Sequence, residues 1–195
     1  MKIFLKLKHW QLFSLMILPF ILMEIELINI MRNGIDSVMN IIAYPIVMIF
    51  SFAIFMSWFY GLGKNLYKKL PESVEMNLTK FKILFFIPVI YISGIILFAV
   101  AMAFGVKAIQ FPDNGIILII IPLHLLSMFG MFYCLYFNAK TMKSVEWQRP
   151  VTFSDYAGEF FLIWFFPLGI WFIQPRINKL FAETQENSAD EIVTH

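Results

Sequence analysis

Four long stretches of this chain are almost unbroken in apolar residues, with polar positions gathered between them. They run roughly from Trp10 to Met31, Ile41 to Leu62, Ile83 to Phe104 and Gly115 to Phe137. A helix needs about 20 mostly apolar residues to cross the hydrocarbon core. Lipid leaves an open strand edge without hydrogen-bond partners, so each stretch is read as a spanning helix. The runs are continuous rather than alternating, which argues against a β-barrel. Pro19, Pro45, Pro88 and Pro122 fall inside them. A membrane helix tolerates such a kink where neighbouring groups satisfy the freed carbonyl. The first run is too long for a cleaved signal peptide and no small-x-small site follows it, so it is expected to be a retained span.

A fifth apolar stretch, Ala157 to Ile173, has only 17 residues and is interrupted by Pro167 and Gly169. Two readings fit it. One is a short, kinked fifth span. The other is a half-membrane helix that breaks at Pro167–Gly169 and returns to the face it came from.

Lysine and arginine decide between sides and bear on this choice. The N-terminal segment carries Lys2, Lys6 and Lys8, the second connection Lys64, Lys68, Lys69, Lys80 and Lys82, and the fourth Lys140, Lys143 and Arg149. The opposite connections carry only Arg32 and Lys107. The bias of 11 against 2 places the N-terminus, the 64–82 loop and the 138–155 loop in the cytoplasm. A returning fifth segment adds Arg176 and Lys179 to the majority side, and is preferred for that reason.

Composition agrees with this picture. Of 195 residues 60% are apolar and 14% charged, far from the balance of a water-soluble domain. A net charge of +2 spread over several loops makes no basic face, so no nucleic-acid partner is expected. The fold class expected is all-α: an integral membrane helical bundle of four spans plus a short Pro/Gly-broken segment. It forms one transmembrane domain over residues 1–182, followed by a polar, mobile tail over 183–195.

An ionisable group at membrane depth is a functional candidate by default. Glu24 lies about 21 Å along the first helix from Trp10, hence roughly 10 Å from its outer end. His124 lies about 13 Å from the outer end of the fourth. Their depths nearly match, so a Glu24–His124 contact across the bundle is sterically open to them. One reading is a proton relay or polar substrate site; the other is a packing hydrogen bond, or Glu24 and Glu26 simply marking the outer interface. Glu159 follows Ser154 and Asp155, residues suited to a helix start, where its charge favours the helix dipole. It is also expected to pair with Arg149 or a loop lysine on the cytoplasmic face. Ala99–Ala103 and Ala101–Gly105 have the i,i+4 small-residue spacing of close helix packing. The basic 64–82 loop is read as topogenic, with anionic-lipid contact as the other reading.

Three histidines and a single Cys134, without metal-ligand spacing, give no zinc signal. No nucleophile elbow or phosphate-binding glycine loop occurs, so no catalytic residue and no cofactor is expected. The sequon at Asn77–Thr79 falls in a loop assigned to the cytoplasm and is discounted.

The segments KHWQLF at Lys8–Phe13, FSDYAGEFFLIWFF at Phe153–Phe166 and PLGIWFIQPRIN at Pro167–Asn178 carry a likeness, with FKILFFIP at Phe81–Pro88 a looser part of it. In these the chain resembles a group of small bacterial multi-pass membrane proteins. That resemblance implies a bacterial cytoplasmic membrane and carries no site residue across. The function expected is non-enzymatic, acting through lipid contact or through contact with a membrane-protein partner or a second copy, in an accessory or immunity-like role. A small oligomeric transporter or channel with Glu24 and His124 in its pathway is the alternative.

Overall fold

Helix starts in this chain are set by side chains that serve the first free N–H groups. Asn77 Oδ1 accepts from the Lys80 N–H at 2.8 Å, and Gln11 Oε1 accepts from the Lys8 N–H at 2.9 Å. The Asp155 carboxylate accepts from both the backbone N–H and the hydroxyl of Thr152, at 2.8 and 3.0 Å. Thr152 is therefore the cap of the helix that Ser154 and Asp155 were expected to begin. Endings are as specific: after Trp147 the chain turns through Gln148 at φ 51°, whose amide donates to the Val145 carbonyl, and Pro150 bars further helix.

The computed structural model describes residues 3–33, 38–103 and 115–193. Among these there are six helices and no strands: α1 (His9–Asn33), α2 (Val38–Tyr67), α3 (Leu78–Ala103), α4 (Gly115–Trp147), α5 (Phe153–Trp164) and α6 (Phe166–Val193). Helices α2, α3 and α4 are long and apolar enough to cross a bilayer, over Ile46–Tyr67, Leu78–Phe98 and Leu118–Trp147. Helix α1 contributes a shorter apolar stretch, His9–Ile25. Helix α4 outruns its expected end at Phe137 by ten residues because the added turns are covered by protein: Asn138, Ala139, Thr141, Met142 and Val145 are all buried. Helix α6 continues to Val193, through most of the segment expected to be a tail. Gly105, one of the small residues singled out in span three, lies outside the described residues, as do the side chains of Ala99 and Ala103.

The chain divides into two compact units. The first comprises Met1–Leu18, Ile54–Met76 and Leu135–His195. Its core holds Leu12, Met16, Trp58, Phe59, Leu62, Leu66, Phe137, Met142, Ile163, Ile170 and Ile173. Helix α6 packs on α1 through Trp171 with His9 and Phe13, and on α2 through Phe166 with Phe55, ring centroids 4.6 to 5.5 Å apart.

Helices α5 and α6 form a tight hairpin that turns at Phe165, whose φ and ψ of −89° and 53° leave the helical region. The Phe165 carbonyl accepts from the N–H groups of Leu168 and Gly169 and so starts α6 at once. A Cβ at Gly169 would lie 1.6 Å from the Leu162 carbonyl oxygen, so only glycine lets the arms approach this closely. The break is thus one residue long and sits just ahead of Pro167, at the first turn of α6 where proline is tolerated.

The second unit comprises Pro19–Ala53 and Asn77–Cys134. Here α3 and α4 run antiparallel. The Cys134 thiol lies 3.8 Å from the Phe81 carbonyl oxygen, and Lys80 sits over the Tyr133 ring. A Cβ at Gly130 would lie 2.6 Å from the Leu84 carbonyl oxygen. Pro88 has no N–H for that carbonyl, so the bare Gly130 brings α4 against the group that the proline leaves without its helical partner.

Replacement of Gly169 by Ala should cost about 3 kcal/mol, through overpacking against backbone that cannot retreat. Gly158→Ala, on a part of α5 where a Cβ meets nothing within 4 Å, should be neutral or stabilising by about 0.5–1 kcal/mol. Thermal unfolding of both variants in detergent checks this, and equal melting shifts would contradict the close approach.

Candidate functional site

The polar side chains of α6 are the natural place to begin, because an amide or guanidinium carried into a dry interior must be met there. Gln174 is fully buried and uses both ends of its amide. Its Oε1 accepts from Trp58 Nε1 at 3.0 Å. Its Nε2 donates to the carbonyls of Phe4 and Leu7, at 3.1 and 2.9 Å, and faces Asn178 Oδ1 at 3.1 Å. Asn178, one turn later on the same face, donates to the Leu7 carbonyl at 3.1 Å. This knot ties the N-terminal turn and α2 to α6. Lys69 adds a bond to the Leu180 carbonyl and lies over the Phe181 ring.

A second polar centre lies where α4 ends and α5 begins. Arg176 holds Glu146 in a two-pronged pair, Nε to Oε1 at 2.7 Å and Nη2 to Oε2 at 2.5 Å. The same Nη2 reaches Glu159 Oε1 at 2.5 Å. Lys143 meets Glu159 Oε1 from the other side at 2.9 Å and lies over the Trp147 ring at 4.5 Å. The Glu159 side chain is only 6% exposed. Two cations and two carboxylates thus cancel, and they join α4, α5 and α6 in one ionic latch.

Burial works to raise the Glu159 carboxyl, and it is the strongest single influence there. The hydrogen bonds from Arg176 and Lys143 together outweigh it and hold the group below the ordinary glutamate value of 4.5. The Arg176 guanidinium is held fully protonated, chiefly by Glu146. Asp155, outside the latch, is lowered by its bond from the Thr152 N–H and by the Thr152 hydroxyl.

Of the partners expected for Glu159, the loop lysine is there, as Lys143, but the pairing with Arg149 does not form. Arg149 follows the Gln148 turn, which carries it onto the outer face of Trp147, 4.6 Å from the ring centroid, where it donates to the Pro150 carbonyl. Lys143 and Arg176 occupy Glu159 instead. Glu24 and His124 are not brought together either. Both are exposed, and no hydrogen bond or ion pair joins them among the described residues. The α3–α4 pairing gives His124 a different neighbour, with Tyr91 Oη 3.2 Å from its Nδ1. Helix α4 also carries three buried polar atoms without partners, Asn138 Oδ1, Thr141 Oγ1 and Ser144 Oγ. The Asn138 amide donates to the Phe59 carbonyl at 3.2 Å. No three histidine, cysteine or carboxylate side chains gather into a metal-binding group among the described residues.

No protein-family model, curated protein or solved structure matches this chain. The geometry of its own residues is what any functional reading rests on. Chemically, the latch sets Arg176 and Lys143 on Glu146 and Glu159 and so holds α4, α5 and α6 together.

Two measurements test the latch. Glu159→Gln should cost about 3 kcal/mol, since it leaves Arg176 and Lys143 short of a buried partner, whereas Arg149→Ala should cost under about 1 kcal/mol. Because the Glu159 value is depressed on folding, its stabilisation is complete above pH 4.5 and is lost as pH falls through the lower folded value. Acid unfolding of Glu159→Gln in detergent should therefore have a shallower pH dependence than that of the wild type.

Proposed function

We propose that this chain is a multi-pass protein of a bacterial cytoplasmic membrane that works by contact rather than by catalysis. Four crossings, α1 to α4, are joined by a hairpin that enters the bilayer and returns. The N-terminus, the 64–82 loop and the 138–155 loop face the cytoplasm.

The observation that carries this reading is the position of Arg176 in the latch. If α5 and α6 crossed the membrane, Arg176 would end far from the end of α4. Instead it holds Glu146, one residue before the close of α4, and Glu159, in the second turn of α5. The N-terminal lysines, the 64–69 run and every cation from Lys140 to Lys179 belong to the first unit, while Lys80 and Lys82 of the same loop belong to the second. Helix α5 has 12 residues, about 18 Å, little more than half of a core about 30 Å thick. Helix α1, with 25 residues, spans about 37 Å and has the length for a crossing.

The hairpin's outer surface is apolar and aromatic where it turns. Phe161, Trp164, Phe165, Leu168 and Phe172 are all exposed, Leu168 to 71%. Beneath them Ile163, Ile170 and Ile173 fill the core. Such a surface is matched by lipid chains, or by the apolar face of another membrane protein. With the ionisable groups of the latch spent on one another, an accessory role exercised through this surface is the best-supported reading.

The test is sidedness. Single cysteines placed at Lys68 and at Lys179 should both resist a membrane-impermeant maleimide in intact cells and react after lysis, while one at Arg32 should react in intact cells. Reaction at position 179 from outside would replace the returning hairpin by a fifth crossing. Release of the protein by alkaline carbonate without detergent would remove the membrane assignment altogether.

A further inference from the structure

The second unit leaves polar groups on its surface in the middle of apolar helices. Around Glu24 on α1, Ile21, Leu22, Ile25, Leu27 and Ile28 are exposed and only Met23 is buried among the described side chains. On α4 all nine residues from Leu118 to Leu126 are exposed, His124 among them. In water such exposure would be unremarkable for Glu24 and His124. Given the membrane reading above, on which this inference rests, both face hydrocarbon, where a carboxylate or an imidazole is costly unless another polar group meets it.

The two groups are complementary. In either tautomer the Tyr91–His124 pair keeps one donor free, the His124 Nε2–H when the Tyr91 hydroxyl donates to Nδ1 and the Tyr91 O–H when Nδ1 donates to it. Glu24 is an acceptor without a partner among the described residues. Glu24 is 15 residues from the start of α1 and Tyr91 is 13 from the start of α3, each about 20 Å along its helix, and in the membrane reading both helices leave the cytoplasmic face.

We propose that the protein self-associates in the bilayer, with Glu24 of one copy accepting a hydrogen bond from the His124–Tyr91 pair of a second copy. Donor and acceptor are carried by one chain and are not spent on each other. A two-fold arrangement with both groups at its seam satisfies both sites in both copies at once. No other protein is needed to complete the pairing, which is why a second copy is the occupant of choice. Interhelical hydrogen bonds of this kind stabilise association in lipid, and the exposed neighbours of each group, Ile21, Leu22 and Ile25 by Glu24 and Ile121, Leu123 and Leu125 by His124, are apolar.

Two differently tagged chains, one Glu24→Cys and one His124→Cys, are co-expressed and treated in membranes with a short bis-maleimide. The native Cys134 is buried, so tagged wild-type chains serve as the blank. The expected product is a crosslinked dimer bearing both tags, absent from the blank. Absence of the mixed dimer, a product formed only between two Glu24→Cys chains, or closure within one chain in the double variant would overturn the proposal.

Photobleaching counts in liposomes provide a second readout free of cysteine chemistry. The wild type should bleach in two steps. Glu24→Ala and His124→Ala should each weaken the dimer about tenfold, and the double variant should be no weaker than the weaker single. A monomeric wild type that remains inserted would sink self-association alone. A wild type that detaches in carbonate would sink the membrane reading beneath it.

Discussion

A buried amide and a part-buried guanidinium on one helix set the terms for the first unit. Gln174 and Arg176 sit two residues apart on α6, so they point to different neighbours. One draws in the N-terminal turn and Trp58, the other draws in the ends of α4 and the start of α5. Apolar packing alone is non-directional and would permit α6 to slide or rotate. The polar contacts fix its register, because a displaced amide or carboxylate at these positions would be stranded without water. Their net worth need not be large for this to hold. The cost of leaving one of them unpaired is what makes a single arrangement preferable.

The two units answer the same problem, a helix in a dry setting, with different means. In the first, side chains carry polar groups inward and pair them. In the second, described through α3 and α4, the backbone itself is the issue. Pro88 withdraws an N–H from the Leu84 carbonyl, and Gly130 offers that carbonyl the barest possible neighbour. The close approach also brings Tyr91 to His124, so the polar pair depends on the glycine some six residues away. Both solutions place small or polar residues at points where helices meet, among the large apolar side chains that fill the rest of the interior.

The helical class was legible because hydrocarbon thickness leaves few alternatives for runs such as Ile83–Phe104 and Gly115–Phe137. The break near Pro167–Gly169 was legible too, since those residues punctuate an otherwise uniform run. The latch was not. Glu146 reads as an ordinary charge at a helix end, and Arg176 as one more loop cation. What unites them is the hairpin, which brings position 176 back beside 146 across thirty residues of chain. Lys143 and Glu146, three apart on α4, were the available hint, but spacing within one helix cannot say which residue of another will meet them. Arg149 was the natural guess for Glu159 by proximity in sequence, and the left-handed turn at Gln148 is what carries it away.

The knot at Gln174 joins residues synthesised at opposite ends of translation. Phe4 and Leu7 emerge first, yet their carbonyls wait for an amide that leaves the ribosome some 170 residues later. Until then Trp58 and Glu146 also lack the groups that will hold them. The polar ties of the first unit are therefore completed last, and a chain cut short before residue 174 would lack the amide on which its N-terminal turn and Trp58 converge.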